Sequence, residues 1–254
     1  MNQIASVISL LVVFGFSTFT AKAQRDVTTF GVQFKPIVPS KFFDSGVEVV
    51  SEDYLSVEYA PQVGINFGMV VRQGFTNTFS LETGINIVRR VYELKTLDAD
   101  YGNSVELKFR LTGYEVPLQG LIYVKLGDRV WMNASGGVSF DTYPSNLFST
   151  QSTAIDTVNF DVQQRTFRSN WLQLALIANY GFEYRTRDKG FWYLGASYHR
   201  PFTDIATTEV TYIRENVPLT VANNLSGSYL TLDLRYFFHE DPERRRRPSR
   251  DIGQ

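Results

Sequence analysis

The sequence predicts an all-β fold, an eight-stranded antiparallel up-and-down transmembrane β-barrel, and three observations lead there. The first is the stretch at residues 56–71, where Val57, Tyr59, Pro61, Val63, Ile65, Phe67, Met69 and Val71 alternate with Ser56, Glu58, Ala60, Gln62, Gly64, Asn66 and Gly68. Successive side chains of a strand point to opposite faces, so one face is apolar and the other small and polar. A membrane-crossing strand needs about 9–11 such residues, with the polar face toward the lumen. The second observation is that this pattern recurs, with long and short connections alternating between the copies. The third is an exported start with no spanning helix after it.

That start is a mostly apolar run over residues 4–16, closed by Ala21-Lys22-Ala23 before Gln24. It has the form of a secretory h-region with an A-x-A cleavage site, so residues 1–23 are expected to be a signal peptide. No later stretch approaches 18 consecutive apolar residues, so a mature chain that spans a membrane does so as a closed barrel.

Strand by strand, the mature chain opens with Phe30, Val32, Phe34, Pro36 and Val38 on one face and Gly31, Gln33 and Lys35 between them. After a long connection at 39–55, the 56–71 stretch is the second strand. A short turn at 72–77 leads to the third, with Phe79, Leu81, Thr83, Ile85 and Ile87 opposed to Ser80, Glu82, Gly84, Asn86 and Arg90. Residues 95–108 are expected to be a charged loop. The fourth strand turns Tyr114, Val116, Leu118, Ile122 and Val124 outward against Glu115, Gln119, Tyr123 and Lys125.

A tight turn at 126–129 precedes the fifth strand, Met132, Ala134, Val138 and Phe140 against Asn133, Ser135, Gly137, Ser139 and Asp141. Residues 144–170 read as a long polar loop. The sixth strand sets Leu172, Leu174, Leu176, Ala178, Tyr180, Phe182 and Tyr184 against Gln173, Ala175, Asn179, Gly181 and Glu183. A turn at 186–190 leads to the seventh, with Trp192, Leu194, Ala196 and Tyr198 outward. After a long connection at 203–227, the eighth places Leu230, Leu232, Leu234, Tyr236 and Phe238 opposite Thr231, Asp233, Arg235 and Phe237.

An even strand count with short turns at one end and long loops at the other is the pattern of outer-membrane barrels. The rival is a soluble lipocalin-type barrel, whose apolar face would line a cavity. Charges alternating with glycine and serine on the polar faces favour a crowded lumen over a solvated surface. The expected domains are therefore the signal peptide, a barrel over 24–238 and a charged periplasmic tail over 239–254, in a Gram-negative outer membrane.

The motif Gly113-Tyr114-Glu115-Val116-Pro117-Leu118 resembles the tyrosine-x-isoleucine-proline-leucine strand of the PorT-like outer-membrane β-barrel family of Bacteroidota. Phe30-Gly31-Val32 and Phe79-Ser80-Leu81-Glu82-Thr83-Gly84 fit the same pattern. The resemblance implies an outer-membrane location. The best-known member is needed for secretion by the type IX system, a role the resemblance does not carry to this chain. Residues 241–254 depart from the family's finish at a terminal aromatic.

Composition narrows the chemistry. Twenty-five Lys+Arg against 26 Asp+Glu leave a formal net charge of −1, without the electrostatic footprint that nucleic acid requires, and no nucleic-acid partner is expected. The absence of cysteine excludes disulfides, thiolate catalysis and Cys-ligated zinc. Only His199 and His239 are available as imidazole bases. His199 is expected near Ser197 and Asp204 in a structural role, and neither enzyme activity nor a cofactor is expected.

Parity puts Lys35, Glu58, Glu82, Arg90, Glu115, Lys125, Asp141, Glu183, Arg185, Asp233 and Arg235 in the lumen. Such near balance of acids and bases predicts an ion-pair network that closes the interior, because an unpaired buried charge costs several kcal/mol. On the outward parity, Arg89, Arg110, Arg168 and Arg200 fall at the outer strand ends, where forked guanidiniums suit lipopolysaccharide phosphates. The Arg244-Arg245-Arg246-Arg247 run reads as a solvated tail able to meet a periplasmic or envelope protein partner. Function is expected to be a non-catalytic interaction or assembly role in the envelope, with a narrow small-solute channel or a transport or secretion accessory as the alternative.

Overall fold

Every stretch of alternation is a strand in the computed structural model, which describes residues 28–41, 45–155, 158–186, 189–214 and 217–238. The expected signal peptide, the tail, its arginine run and His239 lie outside the described residues. In chain order the strands are β1 (Thr28–Val38), β2 (Glu48–Glu52), β3 (Leu55–Gly74), β4 (Phe79–Asp98), β5 (Asn103–Lys125), β6 (Val130–Thr142) and β7 (Leu147–Ile155). They continue with β8 (Val158–Arg168), β9 (Leu172–Arg185), β10 (Phe191–Pro201), β11 (Ala206–Arg214), β12 (Val217–Leu225) and β13 (Tyr229–Phe237).

Eight of these close a ring. The order is β1-β13-β10-β9-β6-β5-β4-β3, and β3 pairs back onto β1. All the neighbouring pairs are antiparallel. Closure leaves the ring no unpaired edge within the bilayer. These eight are the strands the alternation picks out, and the three short connections expected between them lie together at one end.

The apolar faces point out. Val63 is 66% exposed and Leu232 54%, whereas Glu82 is 2% and Asp233 0% exposed. A lipocalin-type barrel would have these reversed, so the wide apolar belt is the surface that meets hydrocarbon. Rings mark its margins, with Trp192, Tyr236 and Phe238 near the short turns and Trp171 and Phe202 toward the other end, as interfacial aromatics do.

The long connections differ from the expected loops. β4 and β5 run on through 95–108 and turn only at residues 99–102, where Gly102 takes a φ of +65° and Asp98 Oδ1 accepts the Asp100 and Tyr101 amides. The 144–170 and 203–227 connections fold as hairpins β7-β8 and β11-β12, which join into a second sheet of order β12-β11-β8-β7. This sheet faces β2 and the outer halves of β3, β4 and β5. Leu55, Val57, Tyr59, Leu94, Val105, Leu107 and Phe109 pack there against Val162, Val210, Tyr212, Val221 and Leu225. The result is a β-sandwich head with its own apolar core.

Strand β5 shows how one ribbon serves both environments. Its odd residues face inward throughout, yet they change from Val105, Leu107, Phe109 and Leu111 in the head to Glu115 and Gln119 in the barrel. Its outward residues change in the opposite sense, from Glu106, Lys108 and Arg110 to Tyr114, Val116 and Leu118. The swap marks the outer membrane boundary. In β3 the apolar parity never changes, because a β-bulge between Gln62 and Ile65 turns the strand over instead. Below the bulge Val63 and Ile65 face lipid, and above it Leu55, Val57 and Tyr59 face the head core.

Candidate functional site

Inside the ring, glycines make room for long charged side chains. Gly181 and Gly195 are direct cross-strand partners. Tyr193 lies over both and reaches Asn179 Oδ1 at 2.7 Å. A Cβ at either glycine would fall inside van der Waals contact of the Tyr193 hydroxyl, so the close approach requires their lack of a side chain.

Nearer the short-turn end, buried charges form one continuous chain. Lys35 Nζ lies 3.5 Å from Asp233, which binds Arg235 at 2.6 Å. Arg235 also pairs with Glu82. Glu82 binds Arg72 at 2.9 Å, Arg72 reaches Glu183 at 2.6 Å, and Glu183 holds Arg185. The Arg72–Glu183 link joins β3 to β9, four places apart in a circle of eight, so it crosses the full width of the lumen. The Arg72 guanidinium lies 4.0 Å from the centroid of Phe237 and that of Arg185 4.6 Å from Trp131, which adds aromatic cover at the same level.

A second cluster sits toward the head. Arg90 Nη2 is 3.2 Å from Glu115, and its Nη1 donates to Tyr143 Oη at 3.0 Å. Glu115 also receives the Tyr229 hydroxyl at 2.8 Å and the Asn66 amide at 3.1 Å. His199 Nε2 lies 2.8 Å from Asp141 Oδ2 and 3.7 Å from Glu115 Oε1, and its ring stacks on Tyr229 at 4.7 Å. All of these residues are buried. Above them begins the apolar core of the head.

Of the predicted lumen residues, Glu82, Glu183, Arg185, Asp233 and Arg235 are brought together in the first network with Lys35, and Arg90, Glu115 and Asp141 in the second. Two are placed elsewhere. Glu58 lies above the β3 bulge, opposite Lys95 and on the outer face, because the bulge inverts the strand's parity. Lys125 is exposed at the short-turn rim, its amine 5.9 Å from the Trp131 ring, because β5 ends there and the lumen opens to solvent.

The expected surroundings of His199 also change. Its partners are Asp141 and Glu115, while Ser197 serves Asp233 at 2.6 Å and Asp204 instead accepts Gln173 through its backbone oxygen. Sequence reasoning missed Arg72, assigned to a turn, although its even parity continues that of Asn66 and Val70. Among the outward arginines, Arg89 and Arg110 are exposed on β4 and β5 where the outward face turns from apolar to charged, and Arg200 is exposed on β10. Arg168 ends β8 of the head rather than a barrel strand, and its Nη1 donates to the Tyr143 and Pro144 carbonyls.

At the outer ends of β10 and β13 lies a recess of about 620 Å3, lined by Leu176, Arg200, Phe202, Asp204, Asn224 and Ser228 among others. It opens beside the outward face, between barrel and head.

Residues 23–207 match the family model described as outer membrane protein beta-barrel domain. Among solved structures, the chain is similar to the outer membrane protein OprG from Pseudomonas aeruginosa, at 10% identity over 86% of this chain and 99% of that one, with a TM-score of 0.47. It is also similar to the outer membrane protein AlkL in DMPC lipid bilayers, at 12% identity, 89% and 97% coverage and a TM-score of 0.34. The outer membrane protease OmpT from Escherichia coli gives 10% identity, 88% and 99% coverage and a TM-score of 0.34. The comparison with curated proteins gives no match.

Proposed function

The chain belongs to the outer membrane protein beta-barrel domain family, and from that premise we propose that it is a non-catalytic envelope component, a sealed barrel that carries a folded interaction head. The observation that carries this reading is the double closure. Buried ion pairs span the lumen from β3 to β9, and the apolar core of the head stands above them. A conduit for hydrated solutes needs a continuous polar path, whereas a rigid, folded outer surface suits recognition. An outer-leaflet contact through Arg89, Arg110 and Arg200 with lipopolysaccharide phosphates belongs to the same reading, and so does kinship to the PorT-like members.

Two measurements test it. Purified protein in planar bilayers is expected to give no steady conductance of porin size, and such conductance would replace this reading with that of a channel. In cells, a photo-crosslinking residue at exposed Phe148 or Val217 on the head is expected to trap a discrete protein partner. The same residue at lipid-facing Leu232 is expected to trap none. Equal trapping at both positions, or at neither, removes the head as the interaction surface.

A further inference from the structure

We propose that Glu115, Asp141 and His199 form a site for a single divalent transition metal of zinc's class, a staple between walls of the barrel. One donor atom from each lies within 4.8 Å of the other two. His199 Nε2 stands 2.8 Å from Asp141 Oδ2 and 3.7 Å from Glu115 Oε1. Tetrahedral zinc at about 2.0–2.2 Å from its ligands separates donors by roughly 3.3 Å, a spacing these distances bracket. One imidazole with carboxylates suits zinc and its neighbours, whereas calcium takes six to eight oxygens and magnesium keeps much of its water.

The surroundings are those of a prepared site. Ser139 Oγ donates to Asp141 Oδ1 at 2.5 Å, the Tyr229 hydroxyl reaches both oxygens of Glu115, and the Tyr229 ring lies flat against His199. Such outer contacts fix the orientation of metal ligands. Two carboxylates meet here beside the Arg90 guanidinium and the His199 imidazole.

Asn66 supplies an independent observation. It is 2% exposed, its amide nitrogen donates to Glu115 and to Tyr229, and its Oδ1 has no hydrogen-bond partner. A half-turn of the amide exchanges nitrogen and oxygen and brings that unpartnered oxygen to the edge of the cluster as a fourth donor. The recess beside β10 and β13 lies across the wall from the cluster: Arg200 and Ser228 line it, and each is the chain neighbour of a residue at the cluster, His199 and Tyr229.

The experiment uses the full chain, tag-free, purified in detergent, stripped with a chelator and then given Zn2+ or Co2+ alone. The expected results are retention of one zinc per chain after buffer exchange and a rise in Tm that grows with zinc concentration, as binding to the native state alone requires. Bound Co2+ is expected to show the intense visible absorption of a tetrahedral site. His199→Gln and Glu115→Gln are expected to lose all three signals. No retained metal, a weak octahedral cobalt spectrum, or an undiminished Tm shift in His199→Gln would overturn the proposal. Should either variant fail to fold, stoichiometry and the cobalt spectrum of the unaltered protein still decide the question.

Discussion

Glu82→Gln is the substitution that best tests whether the lumen is dry. Glu82 binds two guanidiniums, Arg72 at 2.9 Å and Arg235, and only 2% of it meets solvent. At 2.9 Å a charge pair gains about 6 kcal/mol at an effective dielectric of about 20, but about 1.4 kcal/mol in bulk water. Desolvation offsets much of the larger figure, and removing one partner of a buried pair costs about 3–5 kcal/mol.

Arg72 keeps Glu183 and Arg235 keeps Asp233, both at 2.6 Å. The expected loss is therefore at the low end, about 3 kcal/mol. Urea unfolding of the protein in detergent, followed by tryptophan fluorescence and by heat-dependent gel mobility, measures it. The exposed Lys95–Glu106 pair, 3.9 Å apart, serves as the control, since Lys95→Gln is expected to cost less than about 1 kcal/mol. A Glu82→Gln loss as small as the control's would mean that water screens the network, and the sealed-lumen reasoning would fail.

Further outcomes follow from the head and the membrane boundary. Leu94 is fully buried in the head core, so Leu94→Ala is expected to cost about 2–5 kcal/mol. Limited proteolysis is then expected to cut the head hairpins while the barrel keeps its folded gel mobility. Deleting Val63 removes the extra residue of the β3 bulge and leaves a strand that alternates regularly, with Ile65 still toward lipid and Leu55, Val57 and Tyr59 still inward opposite the same β4 partners. An unchanged digestion pattern of the head is the expected result, and loss of head protection with the barrel intact would count against this assignment of the extra residue. Replacing Arg89, Arg110 and Arg200 together with Gln is expected to lower co-purified lipopolysaccharide several-fold. Arg168→Gln, whose guanidinium is held by backbone carbonyls, is expected to leave it unchanged.

The barrel was legible because each of its strands keeps one lipid face and one lumen face, a period-2 signal that composition cannot hide. The head was not, for two physical reasons. On β4 and β5 the outward residues Glu93, Lys95, Glu106 and Lys108 pair across the strands, and in sequence such charges look like loop. Their inward partners Leu94, Val105 and Leu107 carry the signal that could have revealed a strand, but with polarity opposite to that of the barrel below.

In β3 the reverse occurred. Uninterrupted alternation concealed a bulge, and Glu58 was carried to the wrong face with it. Strands β11 and β12 do alternate, with Thr208, Val210 and Tyr212 buried on one face of β11, but threonine-rich alternation reads as polar connection. The meeting of His199 with Asp141, 58 residues away, has no local signature at all.

Strands β3, β4 and β5 each run on from membrane to head, and the β3 bulge is the one register shift in their pairing. A lid works by swinging on a flexible joint, and on this side of the molecule there is no joint to swing on. Lifting the head away from the bilayer would mean tearing successive hydrogen bonds along three strands at once. Any transition that exposes the interior is therefore left to the opposite rim, where β1, β10 and β13 stop short and the recess opens beside them.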